Sequence, residues 1–241
     1  MARKIKFTLL LFAMFCISFT ACSKENDQLE QPPLSESKIK GAGFYAGVHF
    51  LTGKRYDKCL YLRDNGTYTT DFASNDWRTK VDGKYTISGN ILNLTSNTGY
   101  EQTLKYNATF DKIDGSWRFF KLEIGNRVPE GKFEYENVDY SMDDSPHGSN
   151  IAGGNQSFFY FNGKGSFSND IENYVSISGD NVGGGSSSSQ HLFGTYTVKD
   201  AVLTLKYNNG TTKTHAFFYR IDPQNNNTMV VLDGKIYFPA D

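Results

Sequence analysis

Gly83-Lys84-Tyr85-Thr86-Ile87-Ser88, the turn Gly89-Asn90 and then Ile91-Leu92-Asn93-Leu94 decide the fold class of this chain. Tyr85 and Ile87 alternate with Lys84 and Thr86, and Leu92 and Leu94 resume the alternation after the turn. A period of two with one apolar face marks a half-buried strand, and two such strands around a Gly-Asn turn read as a hairpin. Turn pairs recur along the chain at Asn65-Gly66, Asp82-Gly83, Asp114-Gly115, Asn209-Gly210 and Asp233-Gly234. These residues supply the positive φ angles of tight hairpins. The chain carries 19 Phe and 15 Tyr beside 23 Gly and only 6 Pro, a balance of strand formers and turn formers. Beyond residue 21 no stretch sustains a helical period with caps. The sequence predicts an all-β, antiparallel protein whose neighbouring strands are joined in sequence.

The pattern is written twice. Val81 to Ile87 matches Leu192 to Val198, and Ile91-Leu92-Asn93-Leu94 matches Val202-Leu203-Thr204-Leu205 at the same offset. Upstream, Leu60-Tyr61-Leu62 with Gly66 and Tyr68 matches Phe159-Tyr160-Phe161 with Gly165 and Phe167. Gly43-Phe44-Tyr45 matches Gly131-Lys132-Phe133, and Phe110 to Asp114 is aligned with Phe218 to Asp222. The expected organisation is an export signal over 1–21, a disordered tether over 22–39 and two homologous β units over 40–127 and 128–241. The shared residues, Tyr85 with Tyr196, Leu92 with Leu203 and Leu94 with Leu205, are expected in the cores. A rival architecture has both units contributing to one larger sandwich or barrel.

The Gly-x-Tyr-x-Ile/Val unit, its turn, the Leu-x-Leu and the later aromatic strand resemble the lipocalin-like domains of Bacteroidetes-type lipoproteins. The resemblance spans both units and implies two tandem antiparallel β-meander barrels. Neither unit has the Gly-x-Trp near its first strand that marks true lipocalins; Gly43-Phe44-Tyr45 and Gly131-Lys132-Phe133 stand there instead. An eight-stranded barrel has room for its own side chains or for one small ligand, and the sequence leaves both outcomes open.

The address comes from the first residues. Arg3, Lys4 and Lys6 precede an apolar run from Phe7 to Ala21, and then comes Cys22. Basic start, apolar run and small residue before the cut form an export signal. The run is short of the roughly 20 residues that span a bilayer. Phe19-Thr20-Ala21-Cys22 resembles a lipoprotein lipobox, which implies lipidation, including palmitate, at Cys22. Residues 23–39 are polar, charged and Pro-containing, the composition of a tether. Glu25 and Asp27 behind the Cys loosely fit the acidic signal of that lipoprotein group. The expected location is therefore the outer membrane, with the leaflet open and surface exposure among the alternatives.

Removing Arg3, Lys4 and Lys6 with the signal takes the formal charge from −1 to −4. The chain has no dense basic patch, so nucleic acid is not an expected partner. With Cys22 lipidated, Cys59 has no partner for a disulfide and is expected as a buried thiol.

The search for chemistry finds no Gly-x-Ser-x-Gly elbow, His-Glu-x-x-His, phosphate loop or dinucleotide fingerprint. It finds no Cys-x-x-Cys pair for zinc. No catalytic residue, metal or cofactor is expected. Asp143, Asp144 and His147 form the densest polar cluster, expected to be a solvated connection, and Gly183 to Ser189 reads as a flexible linker. His215 sits in an alternating strand and reads as structural. Ligand-binding candidates are the two tryptophans, Trp77 and Trp117. Trp77, in the polar Asn75-Asp76-Trp77-Arg78, is either an exposed ring that stacks on a sugar or anchors a protein, or a ring folded back over a barrel end. Trp117 alternates with Phe119 in a strand. The expected function is a lipid-anchored, non-catalytic envelope protein that binds a small apolar ligand, a glycan or a protein. The alternatives are a structural subunit of an outer-membrane or surface assembly, and a hydrolase with a loop-assembled site from Asp143, Asp144, His147 and His191.

Overall fold

The structure, a computed structural model, describes residues 34, 36–51, 54–115, 117–141, 150–179, 182–224 and 226–240. Cys22 and the export signal, Asp143, Asp144 and His147 lie outside the described residues. Leu34 to Asp241 form one compact unit.

Its first part is a closed barrel of eight strands: β1 (Gly43–Leu51), β2 (Lys54–Leu62), β3 (Thr67–Thr69), β4 (Gly83–Ser88), β5 (Ile91–Ser96), β6 (Glu101–Tyr106), β7 (Lys112–Asp114) and β8 (Phe119–Lys121). A short β9 (Glu123–Ile124) follows, and then β10 (Gly131–Ser141), β11 (Asn150–Phe161), β12 (Ser166–Gly179), β13 (Val182–Lys199), β14 (Val202–Tyr207), β15 (Thr212–Ile221), β16 (Thr228–Leu232) and β17 (Lys235–Pro239). Strands β10 to β17 close a second ring through the pairing of β14 with the first half of β15. All pairings are antiparallel between neighbours in sequence, apart from the closures and β9, which adds to β15 at Phe218 and Tyr219. The two-barrel arrangement stands, and the single larger barrel or sandwich does not.

The duplication is visible in the registers. Gly43 lies opposite Leu62 in the first barrel and Gly131 opposite Phe161 in the second. Tyr68 faces Gly83 as Phe167 faces Gly194, and Tyr85 faces Leu94 as Tyr196 faces Leu205. The Tyr85 N–H donates to the Gly66 carbonyl at 2.8 Å, and the Tyr196 N–H donates to the Gly165 carbonyl at the same distance. One alignment is corrected. Ile113 lies opposite Tyr106, whereas the residue opposite the matching Phe217 is Leu232, not Ile221. β15 has 10 residues where β6 has 6, so the aromatic end of β15 imitates, in composition only, the turn that follows β6.

Each barrel has its own aromatic core. Tyr45, Leu60, Leu62, Tyr68, Tyr85, Leu92, Leu94 and Tyr106 fill the first; Phe133, Phe159, Phe161, Tyr196, Leu203, Leu205 and Phe217 fill the second. A third cluster joins them: Phe44, Ala46, Cys59, Phe72, Trp77 and Leu122 pack with Ala201, Ala216, Phe218, Met229, Val231 and Ile236. Alternation explains this. On β1, Tyr45 points into its barrel while Phe44 and Ala46 face the neighbour; on β15, Phe217 and Tyr219 point inward while Ala216 and Phe218 face back.

Two further observations bear on the sequence. At the last residues of the expected tether, Leu34 packs on the joining cluster and the Lys38 N–H donates to Asp64 at 3.1 Å. Asp64, in the Asn65-Gly66 turn, supplies the acceptor. Gly183 to Ser189 is not a linker but part of β13, paired residue for residue with β12. The ladder runs unbroken from Ser166–Thr195 to Gly179–Val182, so the small residues extend the pairing that begins at Phe193-Gly194-Thr195.

Candidate functional site

Trp77 is not an exposed stacking ring. Only 6% of it is accessible, and its ring lies 6.0 Å from Phe44, 5.9 Å from Phe72 and 5.5 Å from Phe218. Arg63 holds its loop in place by donating to the carbonyls of Trp77, Arg78 and Lys80 at 2.7–2.9 Å. Of the two expectations for Trp77, the folded-back ring is the one that holds, and the partner it folds onto, Phe218, lies far along the chain.

Trp117 is different. Expected in a strand alternating with Phe119, it sits instead in the connection between β7 and β8, because β8 begins only at Phe119; it is partly buried, with one part against the first barrel's core and the rest in solvent. His49 of β1 lies 4.7 Å from it and Tyr56 of β2 lies 6.3 Å from it, ring centroid to centroid. The Lys58 ammonium stands 5.2 Å from the Trp117 centroid, within the range of a cation–π contact. His49 and Tyr56 are opposite one another in the β1–β2 ladder, and Lys58 is opposite Gly47.

The ladder extends beyond the ring. β1 pairs with β8 only at Tyr45 and Ala46, and β2 pairs with β3 only at Tyr61 and Leu62. Residues beyond form a two-stranded projection, with Phe50 65% and Leu51 56% exposed. Its other face rests on the second barrel: the buried pair Arg55–Asp57 at 2.7 Å is fixed there by the Ile236 N–H donating to Asp57 at 2.7 Å. Gly47 lets the Trp117 segment lie against β1, since a Cβ there would sit 1.9 Å from the Arg118 carbonyl oxygen. The rim is charged: Asp114 pairs with Arg118 at 3.1 Å and with Lys112 at 3.4 Å.

The barrel interiors offer less. In the first, the hydroxyls of Tyr45 and Tyr106 donate to the Gly41 carbonyl at 2.9 and 2.6 Å, and that of Tyr85 to the Arg63 carbonyl at 2.6 Å. Burial pushes all three phenols up, Tyr85 to about 12. These polar groups are bound to backbone rather than aimed into a cavity. In the second, Asn169 is bound to Ser157 and the Phe158 carbonyl.

Clefts outside the barrels include one of about 380 Å³ lined by residues such as Lys54, Asp57, Asp71, Tyr135, Asp233 and Lys235, and one of about 350 Å³ lined by Arg127 to Glu130, Gly163 and Ile221.

Among the remaining candidates, His215 is bound through Nδ1 to Asp233 at 2.7 Å, and His191 is bound to Asp170 at the exposed surface. Cys59 is buried, and its thiol is pushed up by desolvation and by nearby Asp57. Among the described residues no group of three or more His, Cys, Asp or Glu could hold a metal ion. His49, Tyr56 and Lys58 were not singled out in the sequence; the alternation of the projecting hairpin was the available signal. Comparisons with protein-family models, with curated proteins and with solved structures returned no match.

Proposed function

We propose that this protein is a lipid-anchored, non-catalytic binding protein of the cell envelope that captures a glycan on the Trp117 platform. The observation that carries the reading is the grouping of a partly exposed Trp117 with His49, Tyr56 and Lys58 on one face of a projecting hairpin. A sugar ring presents an apolar C–H face and a rim of hydroxyls. An aromatic side chain with an apolar body and a polar edge matches that chemistry, and the Lys58, His49 and Tyr56 groups donate to the hydroxyls. The inward hydroxyls of Tyr45, Tyr85 and Tyr106 are bound to backbone carbonyls, which favours a surface site over a barrel ligand. The lipid at Cys22 would keep the platform at the membrane.

Protein docking is a second reading, favoured by exposed Phe50 and Leu51 at the end of the same hairpin. Screening immobilised envelope oligosaccharides separates the two. The glycan reading expects saturable binding lost in Trp117→Ala and kept in Phe50→Ser; the docking reading expects no oligosaccharide to bind.

A further inference from the structure

The second barrel bears an arm that the first lacks. Between Phe167 and Gly194, β12 and β13 continue as a paired hairpin, where the first unit has only the Trp77 loop between Tyr68 and Gly83. β13 pairs with β14 only from Gly194 to Lys199. Among the described residues, Val182 to Leu192 therefore have no ladder on their outer side. Every residue from Gly184 to His191 is exposed. Free edges are normally blunted by Lys, Pro or a bulge because they invite another strand. Gly183-Gly184-Gly185-Ser186-Ser187-Ser188-Ser189-Gln190 has none of these.

The orientation of the backbone is fixed. The Tyr196 N–H donates across to β12's side at Gly165, while the Phe193 carbonyl accepts from Asn208 on the opposite side. Residues of a strand alternate in this respect. Hence Gly183, Gly185, Ser187, Ser189 and His191 aim their N–H and C=O groups outward.

We propose that this edge pairs with the same edge of a second copy of the chain, antiparallel about a two-fold axis at Ser187. Ser187 then faces its own counterpart, Gly185 faces Ser189 and Gly183 faces His191. The run from Gly183 to Gln190 carries no charge, so two copies meet without like charges opposed, and a charged outside strand finds nothing to pair with. Small side chains on both copies let the backbones align, and serines opposite one another can share hydrogen bonds. A two-fold contact uses the same patch on both copies and closes at two. The arms would join into one continuous sheet.

The test is sedimentation of the full chain in detergent, with oxidative cross-linking of cysteine variants. A directly opposed hydrogen-bonded pair has Cα atoms about 5.5 Å apart, within disulfide reach. Ser187→Cys should give a disulfide dimer, and Ser176→Cys, one strand inside the edge, should not. Ser187→Pro removes only an outward N–H, which an edge tolerates, and should weaken association by about tenfold. A chain that stays monomeric at all concentrations, or Ser187→Cys that stays reduced while Ser176→Cys cross-links, would overturn the proposal. So would a dimer that Ser187→Pro leaves intact.

Discussion

The ring of Phe44, on the first barrel, stacks on the ring of Phe218, on the second, with centroids 4.4 Å apart and planes 29° from parallel. Both rings are buried, and Trp77 and Phe72 pack edge-on and tilted around them. The contact makes the two barrels one unit, since each covers an apolar face that the other would expose. Phe218→Ala should cost about 3–5 kcal/mol. Hydrogen exchange should show lost protection in β1 and β2 as well as in β15 and β16. Loss confined to the second barrel would mean that the barrels are stabilised separately.

The Arg55–Asp57 pair makes a second joint. The side chains are 9% and 10% exposed, and Arg55 also lies 4.7 Å from the Tyr135 ring of the second barrel. Removing Asp57 leaves the largely buried Arg55 with backbone carbonyls and the Tyr135 ring but no counter-charge, a loss of up to about 3–5 kcal/mol. Asp57→Ala alone should therefore destabilise more than Arg55→Met with Asp57→Leu together, as read by denaturant titration.

Gly83 and Gly194 occupy matching places, and a Cβ on either would strike the neighbouring strand: 2.2 Å from the Thr95 carbonyl oxygen and 2.0 Å from that of Lys206. Gly83→Ala and Gly194→Ala should each cost about 3 kcal/mol or more, the upper range for overpacking. Gly184→Ala meets nothing within 4 Å and should change stability by about 0.5 kcal/mol or less. Thermal melts of the three variants rank them directly.

Tyr85 gives a sign for alkaline pH. Burial pushes its phenol up to about 12 from 10.0. The folded state holds the proton where the unfolded state has begun to release it. Its contribution is complete below pH 10 and is lost as pH rises toward 12. Tyr85→Phe should flatten the fall in stability across that window, in denaturant titrations at stepped pH; an unchanged slope would remove Tyr85 as its source.

Much of the fold was legible because β4, β5, β13 and β14 are buried on one face and so alternate. The joint was not foreseen, although its signal is present. Phe44-Tyr45-Ala46 and Met229-Val230-Val231-Leu232 are continuous apolar runs, as expected for strands buried on both faces. The Gly-Ser run misled because composition says nothing of the neighbour that continues a ladder. Trp117 was singled out, but its companions come from a register between β1 and β2 that no local pattern sets.

The glycan platform is tested most directly by the emission of Trp117 in the full chain carrying Trp77→Phe, which leaves Trp117 as the one tryptophan. Titration with envelope oligosaccharides should shift the emission saturably, and Tyr56→Ala should weaken the apparent affinity by about tenfold, the loss of one aromatic contact. Emission unchanged by every oligosaccharide would contradict the account.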